Sequence, residues 1–137
     1  MHPSIRLLFA PLLLSMSVTL HAQEAGVECD PARFAKVIAE KPGQVLDVRT
    51  PEEWATGVIA GARFIDFNAG GFKSAAAAML DRTKPVFVYC AAGGRSYRAS
   101  KQLKELGFAE VYDLVGGMGA WKEAGMPTVP YARDAKR

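Results

Sequence analysis

Histidine is almost missing from this chain: of 137 residues only His2 and His21 carry an imidazole, and both lie within the first 22. If that stretch is removed, no Cys-His dyad, Ser-His-Asp triad or His-ligated metal site can form, because each needs an imidazole as base or ligand. Cysteine is equally sparse, with Cys29 and Cys90 alone. Two thiols allow at most one disulfide and are too few to ligate zinc on their own. A membrane-spanning run is lacking as well. The apolar stretch Leu7 to Leu20 is 14 residues long and is interrupted by Pro11, whereas a span needs roughly 20. Nor does charge of one sign dominate: 17 Lys and Arg are interspersed with 14 Asp and Glu for a net +3. That pattern supplies no basic stripe for nucleic acid, and the charge reads as solubility.

What is present begins with the N-terminus. Arg6 precedes the apolar stretch, and Leu20-His21-Ala22 follows it as a cleavage site, the layout of a secretory signal peptide. The expectation is a signal over residues 1–22 and an exported, periplasmic protein, with an uncleaved anchor as the alternative. Leu20 is larger than the small residue usual at its place, so Ala22 marks the best cut without fixing it. A lipoprotein signal does not fit, since Cys29 lies well past the apolar run. Removing the first 22 of 137 residues leaves 115, enough for one domain. That domain is expected over 23–130, with 131–137 as a loose polar tail. In an oxidising compartment Cys29 and Cys90 could pair. Against pairing, the two end separate apolar runs, and Cys90 opens a loop suited to exposure.

Strand and helix patterns alternate along the domain. Asp30-Pro31 reads as an N-cap followed by proline at the first helical position, and Phe34, Val37 and Ile38 recur at helical spacing up to Lys41-Pro42-Gly43. Val45 to Val48 is a short apolar strand, and Thr50-Pro51-Glu52-Glu53 is a helix start whose carboxylates suit the dipole. Trp54 anchors that turn. Phe64 to Phe67 alternates as a strand would, Phe72 to Leu80 is an alanine-rich helix, and Val86 to Tyr89 is a buried strand after Lys84-Pro85. Arg95 to Leu106 is helical with Gly107 as its stop. Val111 to Val115 is the last strand, broken by Gly116-Gly117 before a short helix holding Trp121. Such alternation predicts an α/β fold, a mostly parallel sheet with helices on both faces, and a ligand site at the carboxyl ends of strands.

Cys90 is at such an end. The run Tyr89-Cys90-Ala91-Ala92-Gly93-Gly94-Arg95-Ser96 passes from strand through a glycine-bearing loop into a helix. A loop of this kind can turn several backbone N–H groups toward one point, where they stabilise an anion. If the anion is the Cys90 thiolate, those groups and Arg95 lower its pKa and make it a nucleophile. Gly93 and Gly94 supply the unusual backbone angles of a tight cradle. The competing reading is a buried structural cysteine, since free cysteine is among the most buried residue types.

Four stretches in order, Leu46 to Trp54, Gly57 to Ala62, Cys90 to Ser96 and Leu114 to Pro127, resemble the single-domain rhodanese-like sulfurtransferases from about Cys29 to Val129. The resemblance implies that Cys90 takes a sulfane sulfur from a small donor such as thiosulfate or a persulfide, and holds it as a persulfide. It then passes the sulfur to cyanide or a thiol, a protein thiol being one candidate partner. It also implies that Ala91, Ala92, Gly93, Gly94, Arg95 and Ser96 bind the substrate, and that no metal or organic cofactor is used. Four residues separate Cys90 from Arg95, whereas related phosphatases and arsenate reductases of this fold carry five. The narrower loop suits sulfur over a tetrahedral oxyanion.

Departures from the pattern matter too. Val58-Ile59-Ala60-Gly61-Ala62 stands where many members have His-Ile-Pro-Gly-Ala, a change expected to affect only packing and the turn. Ala91 and Ala92 add no cation to the loop, so Arg95, with Arg98 one turn on, is left to attract an anionic donor, and thiosulfate is expected to be a poor one. Asp47 and Arg49 end a strand on the same edge. They are expected to orient the loop through an ion pair with Arg95, to contact substrate directly, or, as the favoured reading, to serve the structure alone. A non-catalytic module that keeps the fold to bind a partner or sense sulfur is the other functional class. Cys29 as a resolving thiol for Cys90 is a further, redox reading.

Overall fold

The computed structural model describes residues 24–133; the predicted signal peptide and the last four residues lie outside them. Five strands form one sheet in the order β1-β5-β4-β2-β3, and every strand pair is parallel. The strands are β1 (Val27–Cys29), β2 (Gln44–Asp47), β3 (Arg63–Phe64), β4 (Val86–Tyr89) and β5 (Val111–Leu114). The helices are α1 (Pro31–Glu40), α2 (Pro51–Trp54), α3 (Phe72–Met79), α4 (Gly94–Glu105) and α5 (Gly117–Glu123). The expected α/β sheet with helices on both faces is therefore present. Among the described residues no helix is long and apolar enough to cross a membrane.

The central strand β4 shows why the apolar run 86–89 has no polar alternation. Val86, Val88 and Cys90 face one core with Leu46, Ala99, Leu103 and Phe108, under α3 and α4. Phe87 and Tyr89 face the other with Phe34, Val37, Leu114 and Trp121, under α1 and α5. A strand covered on both sides can afford no polar face. Phe34 meets Phe87 and Trp121 edge-on, with centroids 6.3 and 6.2 Å apart. Burial of aromatics at about 25 cal/mol per Å2 makes this second core a main source of stability.

Local chemistry sets most element ends. Asp30 caps α1 by accepting the Arg33 N–H at 2.8 Å, with Pro31 at the first position. Thr50 and Glu53 form a reciprocal capping box on α2. Such a cap contributes about 1 kcal/mol.

Two expectations are corrected. The strand predicted over 64–67 is only Arg63–Phe64, because Asp66 accepts the Asn68 N–H at 2.9 Å and turns Phe67–Ala69 into a 3-10 helix. The loose tail does not begin at Tyr131. Its ring packs against Trp54 and Phe64, with centroids at 5.6 and 4.8 Å, and Val58 bridges to Val129 just before it.

Both cysteines are free and buried. They belong to opposite faces of the sheet, on strands separated by β5. Two strand spacings put their Cα atoms about 9 Å apart or more, beyond the roughly 7 Å limit for a disulfide. The pairing and the resolving-thiol reading both require the backbone to move.

Candidate active site

Position 90 follows the last residue of β4, and α4 begins at Gly94, so Ala91, Ala92 and Gly93 make the whole connection. Gly93 closes it with φ +110°, a conformation that side chains resist. The loop is held from below by the start of α5. Met118 and Gly119 donate their N–H groups to the carbonyls of Cys90 and Ala91 at 2.8 and 3.1 Å. Gly117, with φ +57°, sits against those same carbonyls, and a Cβ there would collide with them. The glycine pair thus lets one backbone lie directly on another.

This support aims the loop at Cys90. Its Sγ accepts the Gly93 N–H at 3.0 Å and lies 3.5 Å from the Ser96 hydroxyl, which itself donates to the Gly93 carbonyl at 3.1 Å. Burial, the largest single influence, pushes the thiol pKa up, as expected for a residue 1% exposed. The Ser96 hydroxyl and the N–H groups of Ser96, Gly93 and Ala92 together outweigh it and hold the thiol below its ordinary value. Cys29 shows the contrast: burial raises its pKa with no comparable cradle.

Arg95 does something other than expected. Its guanidinium makes a two-pronged pair with Glu53, at 2.7 and 3.0 Å, and contributes less to the thiolate than the loop's own donors do. The Glu53 carboxyl is held down to about 2, chiefly by that hydrogen bond. Arg98 stacks over the Phe67 ring at 5.1 Å instead of entering the loop.

Asp47 and Arg49 do not reach Arg95 either. They pair with each other, Nη2 to Oδ2 at 2.7 Å and Nε to Oδ1 at 3.0 Å, with both residues at most 2% exposed. Arg49 also donates to the carbonyls of Glu53 and Gly57 at 3.2 and 2.8 Å. These bonds tie the end of β2 to α2, which carries Glu53, and to the turn after it. The partner of Arg95 was thus missed in the sequence. Its only signal was the Thr50-Glu53 cap, which explained the carboxylate locally and concealed its second bond.

Ala91 and Gly93 are half-buried and Ala92 and Gly94 exposed, so the loop rim is open above a covered sulfur. No group of side chains among the described residues could hold a metal ion.

The rhodanese-like domain profile matches residues 30–124. The chain belongs to the rhodanese-like family. It is 37% identical over 92 residues to thiosulfate sulfurtransferase 16 of Arabidopsis thaliana, covering 61% of this chain and 77% of that one. Thiosulfate sulfurtransferase GlpE of Pseudomonas paraeruginosa is 39% identical over 88 residues, 64% of this chain and 77% of its own. A sulfurtransferase of Allochromatium vinosum is 31% identical over 103 residues, 74% and 94% of the two chains. Among solved structures, a rhodanese-related protein of Thermoplasma volcanium superposes with TM-score 0.66 at 33% identity, over 75% of this chain and 97% of the other. These rhodanese-like relatives support sulfurtransferase activity.

Proposed function

We propose that this rhodanese-like protein carries a sulfane sulfur as a persulfide on Cys90. The observation behind this reading is the Cys90 sulfur seated in its loop, with the Gly93 N–H at 3.0 Å and the Ser96 hydroxyl at 3.5 Å, where the loop donors hold its pKa below the ordinary value. In the first half-reaction the thiolate attacks the outer sulfur of the donor. With thiosulfate, the sulfur–sulfur bond breaks, sulfite leaves with the electron pair, and Cys90 keeps the sulfur as an anionic persulfide. In the second, cyanide or a thiolate attacks that terminal sulfur, and the Cys90 thiolate leaves. Thiolate and persulfide are both anions, so one cradle serves both states. No base is required if the thiolate is already formed.

The donor side favours a persulfide or a protein-bound sulfur over thiosulfate, because Glu53 already neutralises Arg95. We further propose export to the periplasm by the signal over 1–22, which cell fractionation and N-terminal sequencing of the mature protein would test. The activity test is sulfur transfer from thiosulfate or a glutathione persulfide to cyanide, run beside Cys90→Ser. The expected result is turnover with a one-sulfur adduct on Cys90 by mass spectrometry. Absence of any adduct with every sulfane donor would instead support a binding module.

A further inference from the structure

Two acidic side chains are buried among the described residues, Asp47 and Asp113. Asp47 has its guanidinium. Asp113 is 3% exposed, and its Oδ1 is buried with no hydrogen-bond partner. Such a group needs an explanation, since an unpartnered buried carboxylate is costly.

Its position gives one. β4 and β5 run parallel with Val88 opposite Asp113, so Cys90, two residues beyond Val88, points to the same face. Two residues of rise and one strand spacing separate the two side chains by roughly 8 Å. Ser96, fully buried in the first turn of α4, stands on this side of the sheet. Its hydroxyl is 3.5 Å from the Cys90 sulfur and in this arrangement donates to the Gly93 carbonyl, not to Asp113, yet it is near enough to oppose the rise in the Asp113 carboxyl's pKa.

We propose that Asp113 accepts the Cys90 proton through Ser96, supplying the internal base that a domain with no histidine otherwise lacks. The Cys90 S–H bond breaks as its proton passes to the Ser96 oxygen, and the Ser96 O–H bond breaks as its own proton passes to Asp113. The net change is one proton moved from sulfur to carboxylate and one negative charge moved back. Ser96 ends as a donor to the thiolate while accepting from the neutral carboxyl. Rotation of its hydroxyl away from the Gly93 carbonyl is the motion required.

The surroundings agree. Burial pushes the Asp113 carboxyl up to about 6, with Glu28 adding to the rise and the Ser96 hydroxyl opposing it. That lies in the range of an effective base near neutral pH. On the same face the neighbouring strands present Glu28 from β1 and Val88 and Cys90 from β4, while α4 presents Ser96; Cys29 of β1 feels the carboxylate from the opposite face. Among the described residues, no lysine or arginine forms an ion pair with it.

Asp113 acts through Ser96 and is a positioning residue in that sense. The inference rests on Cys90 being the nucleophile. Iodoacetamide reads the thiolate whether or not sulfur is transferred, so failure here is separable from failure of the proposed activity. The test measures the alkylation rate of Cys90 against pH in the full chain, by peptide mass spectrometry.

Two coupled groups give two steps, and the wild-type rate is expected to rise first near pH 6 and again at higher pH. Asp113→Asn should show a single step and a rate several-fold lower near the first. Ser96→Ala should flatten the lower step with Asp113 still present. A purely structural Asp113 would change the melting temperature and leave the profile as it was. A single wild-type step, or two steps surviving in Asp113→Asn, overturns the proposal. Should those variants fail to fold, the Asp113 carboxyl carbon can be titrated by NMR in wild type and Cys90→Ser. Loss of its second step in Cys90→Ser supports the coupling, and identical curves refute it.

Discussion

Glu53 and Arg95, 42 residues apart, meet in a two-pronged ion pair at 2.7 and 3.0 Å that ties α2 to the first turn of α4 beside Cys90. The same carboxylate caps its own helix through Thr50. One side chain therefore sets the start of α2, the direction of Arg95 and the charge at the loop rim.

The pair makes stability depend on acid. The Glu53 carboxyl sits near 2 in the folded protein, below its ordinary value of about 4.3. Its contribution is fully present above that ordinary value and is lost as pH falls toward 2. With the glutamate side chain 31% exposed, solvent screening leaves about 1–2 kcal/mol of it. Urea unfolding of wild type and Glu53→Gln should differ by that amount at neutral pH and converge in strong acid. A difference that stays constant with pH would contradict the assignment.

The donor preference can be read from the same variant. With Glu53→Gln the guanidinium, charged throughout, loses its counter-charge at the loop rim, and KM for thiosulfate should fall several-fold while kcat drops as the loop loses its tie. For a neutral or monoanionic persulfide donor, the KM should move less. Steady-state kinetics with the two donors separates these outcomes, and an equal shift in both would discount the charge argument.

The two cysteines should react unequally. Cys90 has a lowered pKa beneath an open rim, whereas Cys29 has a raised one and no cradle. A short iodoacetamide pulse at neutral pH should label Cys90 at least about tenfold faster, since thiolate fraction controls the rate. Peptide mass spectrometry reads both sites in one sample. Comparable labelling would mean that the N–H groups do not offset burial.

The sequence made some of this legible and hid the rest for physical reasons. Asp30-Pro31, Thr50-Pro51 and the glycines at 93, 107 and 116–117 act on the backbone next to them, so their effects can be read locally. β1 was harder: three residues are too few to show a period, and Val27–Cys29 becomes a strand only because β5 offers it an edge. The Arg95–Glu53 pair is a long-range choice between carboxylates. Asp47 was nearer the expected strand end, but its hydrogen bonds are filled by Arg49. Asp113 hid for a similar reason, as one polar residue inside an apolar strand says nothing of which helix will cover it.

The buried Asp47–Arg49 pair should be a support for the fold, since neither residue reaches Arg95. Asp47→Asn keeps the shape and leaves a guanidinium 2% exposed without its counter-charge, which costs about 3–5 kcal/mol. Thermal or urea unfolding should show that loss. In the fraction still folded, the Cys90 alkylation profile should be nearly unchanged. A changed profile with intact stability would move Asp47 into the site.

Glycine at 117 should be the least replaceable residue under the loop. Gly117→Ala combines a positive φ with a Cβ driven into the carbonyls of Cys90 and Ala91. Relieving that contact has to shift either α5 or the loop, and the Met118 N–H bond to Cys90 O at 2.8 Å is the first to be strained. The expected cost is about 2–4 kcal/mol, with sulfur transfer lost more than stability because the cradle itself moves. Gly94→Ala is the control for backbone freedom: its φ is not positive and nothing lies within 4 Å of the added carbon. At the first position of α4, alanine should raise stability by up to about 1 kcal/mol. Denaturation of the two variants side by side decides the matter. If Gly117→Ala is as stable as Gly94→Ala, the close approach of α5 to the loop does not constrain Cys90.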